Sequence, residues 1–120
     1  EIADKCDLIT FHAPLNERTK GLMNRVAFEK MKPTSILLNL GRGPIINEED
    51  LVWAIQNQKI AAAGLDVLSA EPMERENPLT RLAWDERLFI TPHIAWASIE
   101  ARRRLMDTIY AQIEEFLKES

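Results

Sequence analysis

Four short apolar runs, DLITFHA (7–13), SILLNL (35–40), AAAGLDV (61–67) and LFIT (88–91), alternate with segments of helical character. Each run has the length and the apolar, β-branched content of a buried strand. Between the first two, Asn24 is placed to cap a helix running through Val26, Ala27, Phe28 and Met31, which Lys32-Pro33 ends. Asn47 is placed to cap the next, with Glu48, Glu49 and Asp50 in a first turn whose dipole favours negative charge. After Pro72, Asn77 and Pro78, residues 79–84 predict a helical turn or two. Ser98 is placed to cap a last helix, with Ile99, Leu105, Met106, Ile109, Tyr110, Ile113, Phe116 and Leu117 at amphipathic spacing. The order β-α-β-α-β-α-β-α predicts an α/β fold, a parallel sheet with helices on both faces.

At 120 residues the chain fits one domain, and 46% hydrophobic with 28% charged residues is a globular composition. A net charge of −4 argues against nucleic acid as a partner, and the basic run Arg102, Arg103 and Arg104 lies within a helix that turns acidic. Cys6 is the single cysteine, so no internal disulfide can form, no thiolate zinc site is expected, and a reducing cytoplasm fits. No stretch approaches the roughly 18 apolar residues of a membrane span, and no membrane partner is expected. EIADKCD lacks the layout of a signal peptide and looks like the last turn of a helix.

Three polar residues follow the ends of apolar runs: Arg42 after SILLNL, Glu71 after AAAGLDV, and His93 after LFIT. In a parallel sheet, ligands bind outside the carboxyl ends of the strands. A guanidinium, a carboxylate and an imidazole converging there can hold a substrate's charge and donate a proton to a carbonyl. The turn Gly41-Arg42-Gly43-Pro44-Ile45-Ile46 imitates the dinucleotide fingerprint G-x-G-x-x-G, but Ile46 stands where the third glycine belongs. Pro44 also removes an N–H donor, so these glycines are expected to make a tight turn that aims Arg42 outward, not to cradle phosphate. The small residues of AAAGLDV predict close approach by neighbouring backbone.

Several motifs are shared with a known family. They are FHAPL with TKG (11–15, 19–21), MKP (31–33), NLGRG (39–43), GLDV (64–67), EP (71–72) and TPH (91–93). In these the chain resembles the D-isomer-specific 2-hydroxyacid dehydrogenases. LSAEP followed by NPL, and TPHIAW followed by SIEAR, are most similar to the glycerate dehydrogenase, or hydroxypyruvate reductase, branch. The resemblance implies the second half of a Rossmann-like, doubly wound dinucleotide-binding domain over residues 1–97, followed by a C-terminal helix over 98–120. It implies hydride transfer between NAD or NADP and a 2-oxo or 2-hydroxy acid such as hydroxypyruvate or D-glycerate. Arg42 matches the arginine that binds the substrate carboxylate, His93 the proton donor, and Glu71 the acid that hydrogen-bonds that histidine. Ala13, Leu40, Gly41, Arg42, Asp66, His93 and Trp96 match positions lining the cofactor pocket, with Asp66 facing the nicotinamide end.

The family's glycine fingerprint and substrate domain lie upstream of strands like these. The chain alone is therefore expected to bind NADH weakly and to be inactive. With those neighbours gone, the strand at 8–12 and the last helix are expected to pair with another copy, giving a homodimer or larger assembly. The alternative readings are an NAD-sensing, dehydrogenase-like corepressor and a non-catalytic interaction module.

Overall fold

The computed structural model describes residues 1–119. Helix α1 (Ile2–Lys5) leads into strand β1 (Leu8–Phe11), helix α2 (Arg25–Glu29) and strand β2 (Ile36–Asn39). A 3₁₀ turn at Gly43–Ile45 then enters helix α3 (Glu48–Gln56) and strand β3 (Ala62–Leu65). A second 3₁₀ turn at Pro78–Leu82 precedes strand β4 (Leu88–Ile90), and helix α4 (Ile99–Glu119) follows. The four strands form one sheet in the order β1-β2-β3-β4, every neighbouring pair parallel. The fold is that of a Rossmann-like α/β sheet, and all four strands point their carboxyl ends at the same edge.

The caps read from the sequence at Asn24, Asn47 and Ser98 are made, and Asn77, expected in a loop, adds another. Asn24 accepts from the Ala27 N–H at 3.2 Å, Asn47 from Asp50 at 3.1 Å, Asn77 from Leu79 at 2.8 Å and Ser98 from Ala101 at 3.2 Å. Each satisfies a backbone donor that a helix start leaves unpaired. The segment at 79–84 forms a 3₁₀ turn over Pro78–Leu82 instead of an α-helix.

One sheet face carries the core. Ile9, Leu37, Ala63 and Leu65 are buried there with Phe28, Met31, Leu51, Val52 and Ile55 from α2 and α3. Within the described residues the helical cover lies on this face. On the other, Leu8 is 54% and Phe89 71% exposed, and α4 contributes no buried residue. The close approach at Gly64 comes from a side chain, not from backbone: a Cβ there would meet Leu38 Cδ2 at 2.8 Å.

Candidate active site

The turn after β2 is built around Asn39, buried at 1% exposure. Its Oδ1 accepts from the Gly41 N–H at 3.1 Å and its Nδ2 donates to the Arg42 carbonyl at 2.9 Å. The two glycines are needed for space, not for conformational freedom. A Cβ on Gly43 would fall 1.9 Å from the Leu68 carbonyl carbon, and one on Gly41 would fall 2.8 Å from the Ala13 oxygen. So the turn is wedged between the chain leaving β1 and the chain leaving β3. Arg42 is extended and exposed, and its Nη1 donates to the Gly41 carbonyl at 2.8 Å. Among the described residues, Arg42 makes no hydrogen bond or ion pair with Glu71 or His93.

The ladder runs on past the strand ends. Asp66 N–H donates to the Asn39 carbonyl, and Thr91 N–H to the Leu65 carbonyl, both at 2.9 Å. Asp66, 6% exposed, then organises the loop after β4. Its Oδ1 accepts from Thr91 Oγ1 at 2.6 Å and from the Ile94 N–H at 2.9 Å, and its Oδ2 from the Ala95 N–H at 2.9 Å. Burial raises the Asp66 pKa, but hydrogen bonds from Thr91, Ala95 and Ile94 outweigh it and hold the group below its ordinary value. Asp66 is thus a structural anchor as well as a residue at the proposed cofactor end.

The loop that Asp66 holds places His93 at φ +55°, a left-handed conformation that costs a non-glycine residue strain. Its Nδ1 lies 2.7 Å from Glu71 Oε2, while Glu71 Oε1 accepts from the Leu68 N–H at 2.8 Å. The Leu68 hydrogen bond, and then the one from His93, keep the Glu71 carboxyl below its ordinary value. An ionised carboxylate only accepts, so the proton in this pair belongs to Nδ1, and Nε2 is the nitrogen not engaged by Glu71. Trp96, 58% exposed, donates from Nε1 to the His93 carbonyl at 2.8 Å.

The structure therefore joins Glu71 to His93, and Asp66 and Trp96 to the loop bearing His93. Ala13 and the buried Gly41 meet at the ends of β1 and β2, where the half-buried Leu40 donates to the Phe11 carbonyl at 3.0 Å. Arg42 belongs to the same edge through the neighbouring strand end. Two residues that organise these turns were not read from the sequence: Asn39 and Thr91. A lone asparagine inside the apolar run SILLNL was the one available signal.

A nicotinamide, implied at this edge by the sequence resemblance, needs an acceptor for its carboxamide and an apolar wall. A carboxylate offers about four acceptor positions, of which Asp66 uses three, leaving one on Oδ2. A cleft of about 430 Å³ opens beside it, walled by Leu68, Met73, Ile90 and Pro92 and reaching Glu71 and His93. That volume is ordinary for a ligand site. Asp66, Glu71 and His93 fit the nicotinamide end, whereas Ala13, Leu40, Gly41, Arg42 and Trp96 do not line this cleft. A pyrophosphate finds no equivalent in the turn after β2: the Gly41, Ile45 and Ile46 N–H groups are all donated within the turn.

Comparison with known proteins agrees with this fold. Residues 1–95 match the family model described as D-isomer specific 2-hydroxyacid dehydrogenase, NAD binding domain. The chain is 48% identical over 120 residues to a hydroxypyruvate reductase of Blautia hydrogenotrophica, covering all of this chain and 36% of that protein. An acyclic imino acid reductase solved with NADPH and D-Arg superposes with a TM-score of 0.85 at 32% identity, over 98% of this chain and 36% of that one. D-lactate dehydrogenase from Aquifex aeolicus, solved with NAD and lactic acid, gives 0.84 at 25% identity, over 98% and 39%. The chain thus spans little more than a third of the length of these relatives. With the family model covering most of its length, the chain belongs to the D-isomer specific 2-hydroxyacid dehydrogenases, as part of their NAD-binding domain.

Proposed function

We propose that the protein carrying this segment reduces a small 2-oxo acid, such as hydroxypyruvate or glyoxylate, to the D-2-hydroxy acid. The observation that carries the reading is the Glu71–His93 pair, 2.7 Å apart beside Asp66 at the carboxyl edge of a parallel sheet. When bound, the reduced nicotinamide of NAD or NADP supplies the hydride. Asp66 would receive its carboxamide, and Ala13, Leu40, Gly41 and Trp96 would line its pocket. Arg42 presents free guanidinium donors to the substrate carboxylate and the 2-oxo group, drawing electron density from the carbon under attack. His93, its Nδ1 proton held by Glu71, gives an Nε2 proton to the developing alkoxide. In oxidation the same Nε2 takes the proton back.

Residues 1–97 are read as the second half of the dinucleotide-binding domain and 98–120 as the C-terminal helix. The lone Cys6 supports a cytoplasmic setting. Exposed Ile109, Tyr110 and Ile113 on α4, and β1 at the sheet's margin, support a homo-oligomer. The corepressor alternative is not favoured, since named relatives are reductases and dehydrogenases.

The test is hydroxypyruvate reduction by the full-length protein with NADH and with NADPH. His93→Ala is expected to lower kcat by about 10²–10⁴, with cofactor affinity preserved. Full turnover by that variant at neutral pH would refute the assignment of the proton donor.

A further inference from the structure

Glu71 is carried by a stretch, residues 68–77, that is exposed over 71–76 and contains no helix or strand. Its position has to come from ties to the body of the fold. The ties converge on Glu48, in the first turn of α3. Glu48 Oε1 accepts from the Ser69 N–H at 2.7 Å, and Oε2 accepts from Asn77 Nδ2 at 2.8 Å. One carboxylate thus grips both ends of the stretch, two residues before Glu71 and six after it. Asn77 is 8% exposed, and its Oδ1 is already committed to the Leu79 N–H at 2.8 Å. Its amide therefore cannot turn over to suit another partner. Beneath the same stretch, Gly43 packs so closely on Leu68 and Ser69 that a Cβ would overlap their backbone.

We propose that Glu48 is a positioning residue for the reaction: by clamping Ser69 and Asn77 it holds Glu71 where it meets the His93 ring. The inference rests on the reading of Glu71 and His93 as the proton-transfer pair. Glu48 touches neither ring nor substrate, and acts through Ser69, Leu68 and Glu71 in turn. Charge-assisted hydrogen bonds of this kind are the stronger class, which suits a loop with few other restraints.

The experiment uses nitrogen NMR of the imidazoles, which distinguishes the Nδ1–H from the Nε2–H tautomer of the neutral ring. The chain has two histidines, and His12, which bonds Thr10 Oγ1 through Nε2 at 2.9 Å, serves as internal reference. In the unaltered chain His93 is expected as Nδ1–H, because its acceptor is a carboxylate. Glu71→Ala removes that acceptor and tests the pair itself. Glu48→Ala is expected to move most of the His93 population to Nε2–H, the form a free imidazole prefers, with His12 unchanged. Glu48→Gln, a gentler variant, keeps an acceptor for Ser69 but sets its amide against that of Asn77, and should give an intermediate mixture. Glu49→Ala, one residue along and paired with Arg81, should leave the ring unaltered.

In the full-length protein, Glu48→Ala should lower kcat about tenfold, a fraction of what a positioned acid–base group supplies, while KM changes by less than about twofold. His93 remaining Nδ1–H in both Glu48 variants would overturn the proposal. His93 remaining Nδ1–H in Glu71→Ala would instead remove the pair on which it rests.

Discussion

Helices α3 and α4 have similar amphipathic sequences and opposite fates. The nine residues of α3 bury Leu51, Val52, Ala54 and Ile55 against the sheet and α2. The 21 residues of α4 bury none, and Ile109, Tyr110 and Ile113 stay exposed. The body with α4 measures 59 × 34 × 26 Å, and a 21-residue helix alone is about 31 Å long. Amphipathicity states that a helix needs a surface, not that this segment holds one. The polar edge behaves differently. Asp66, Glu71, Glu48 and Asn39 all find partners within the segment, and no buried side-chain donor or acceptor among the described residues is left unsatisfied. Hydrogen bonds at the site are local to neighbouring strand ends. The apolar faces have a longer reach.

The largest expected effect sets the core beside α4. Phe28, fully buried between α2 and the sheet, should cost about 3–5 kcal/mol on substitution by alanine. Ile113→Ala on α4 should stay within about 0.5 kcal/mol. Urea unfolding followed by circular dichroism measures both, and equal costs would erase the contrast between the two helices.

Acidification should separate the polar edge from α4. The Asp66 and Glu71 carboxyls lie below their ordinary values of 3.8 and 4.5. A group whose folded value is depressed stabilises fully above its unfolded value, and that stability is lost as pH falls through the folded one. The Leu68, Ile94 and Ala95 amides, which donate to these carboxylates, should lose exchange protection between about pH 5 and pH 2. Protection retained throughout would show that the loops do not depend on ionised Asp66 and Glu71.

The smallest effect sharpens what α4 is for. Ile109→Asp should leave unfolding within about 0.5 kcal/mol of the parent while weakening self-association in sedimentation velocity across a dilution series. A chain that is monomeric at every concentration before substitution would remove α4 as an association surface.

Much of this was legible locally. An apolar run bounded by Pro14 or Pro33, or an asparagine before an acidic turn, acts through neighbours a few residues away. Parallel pairing followed as well, because strands alternating with helices read as crossover units; the order of the strands came from the structure. The placing of Arg42, Glu71 and His93 after strand ends was visible for the same reason. The second helical layer was not. Strand composition shows that both faces are apolar, but it cannot show which face the segment's own helices will cover.

By itself, then, the sequence determined the strands, the caps at Asn24, Asn47 and Ser98, the parallel pairing and the placing of Arg42, Glu71 and His93 after strand ends, since these follow from propensity and spacing along the chain. Only the tertiary structure decided that Asp66 anchors the loop bearing His93, that Glu48 grips Ser69 and Asn77, and that Gly43 is required by the backbone of Leu68. Those contacts join residues more than 20 positions apart. Their geometry exists only once parallel strands have brought separate turns to one edge, where each buried donor must find an acceptor.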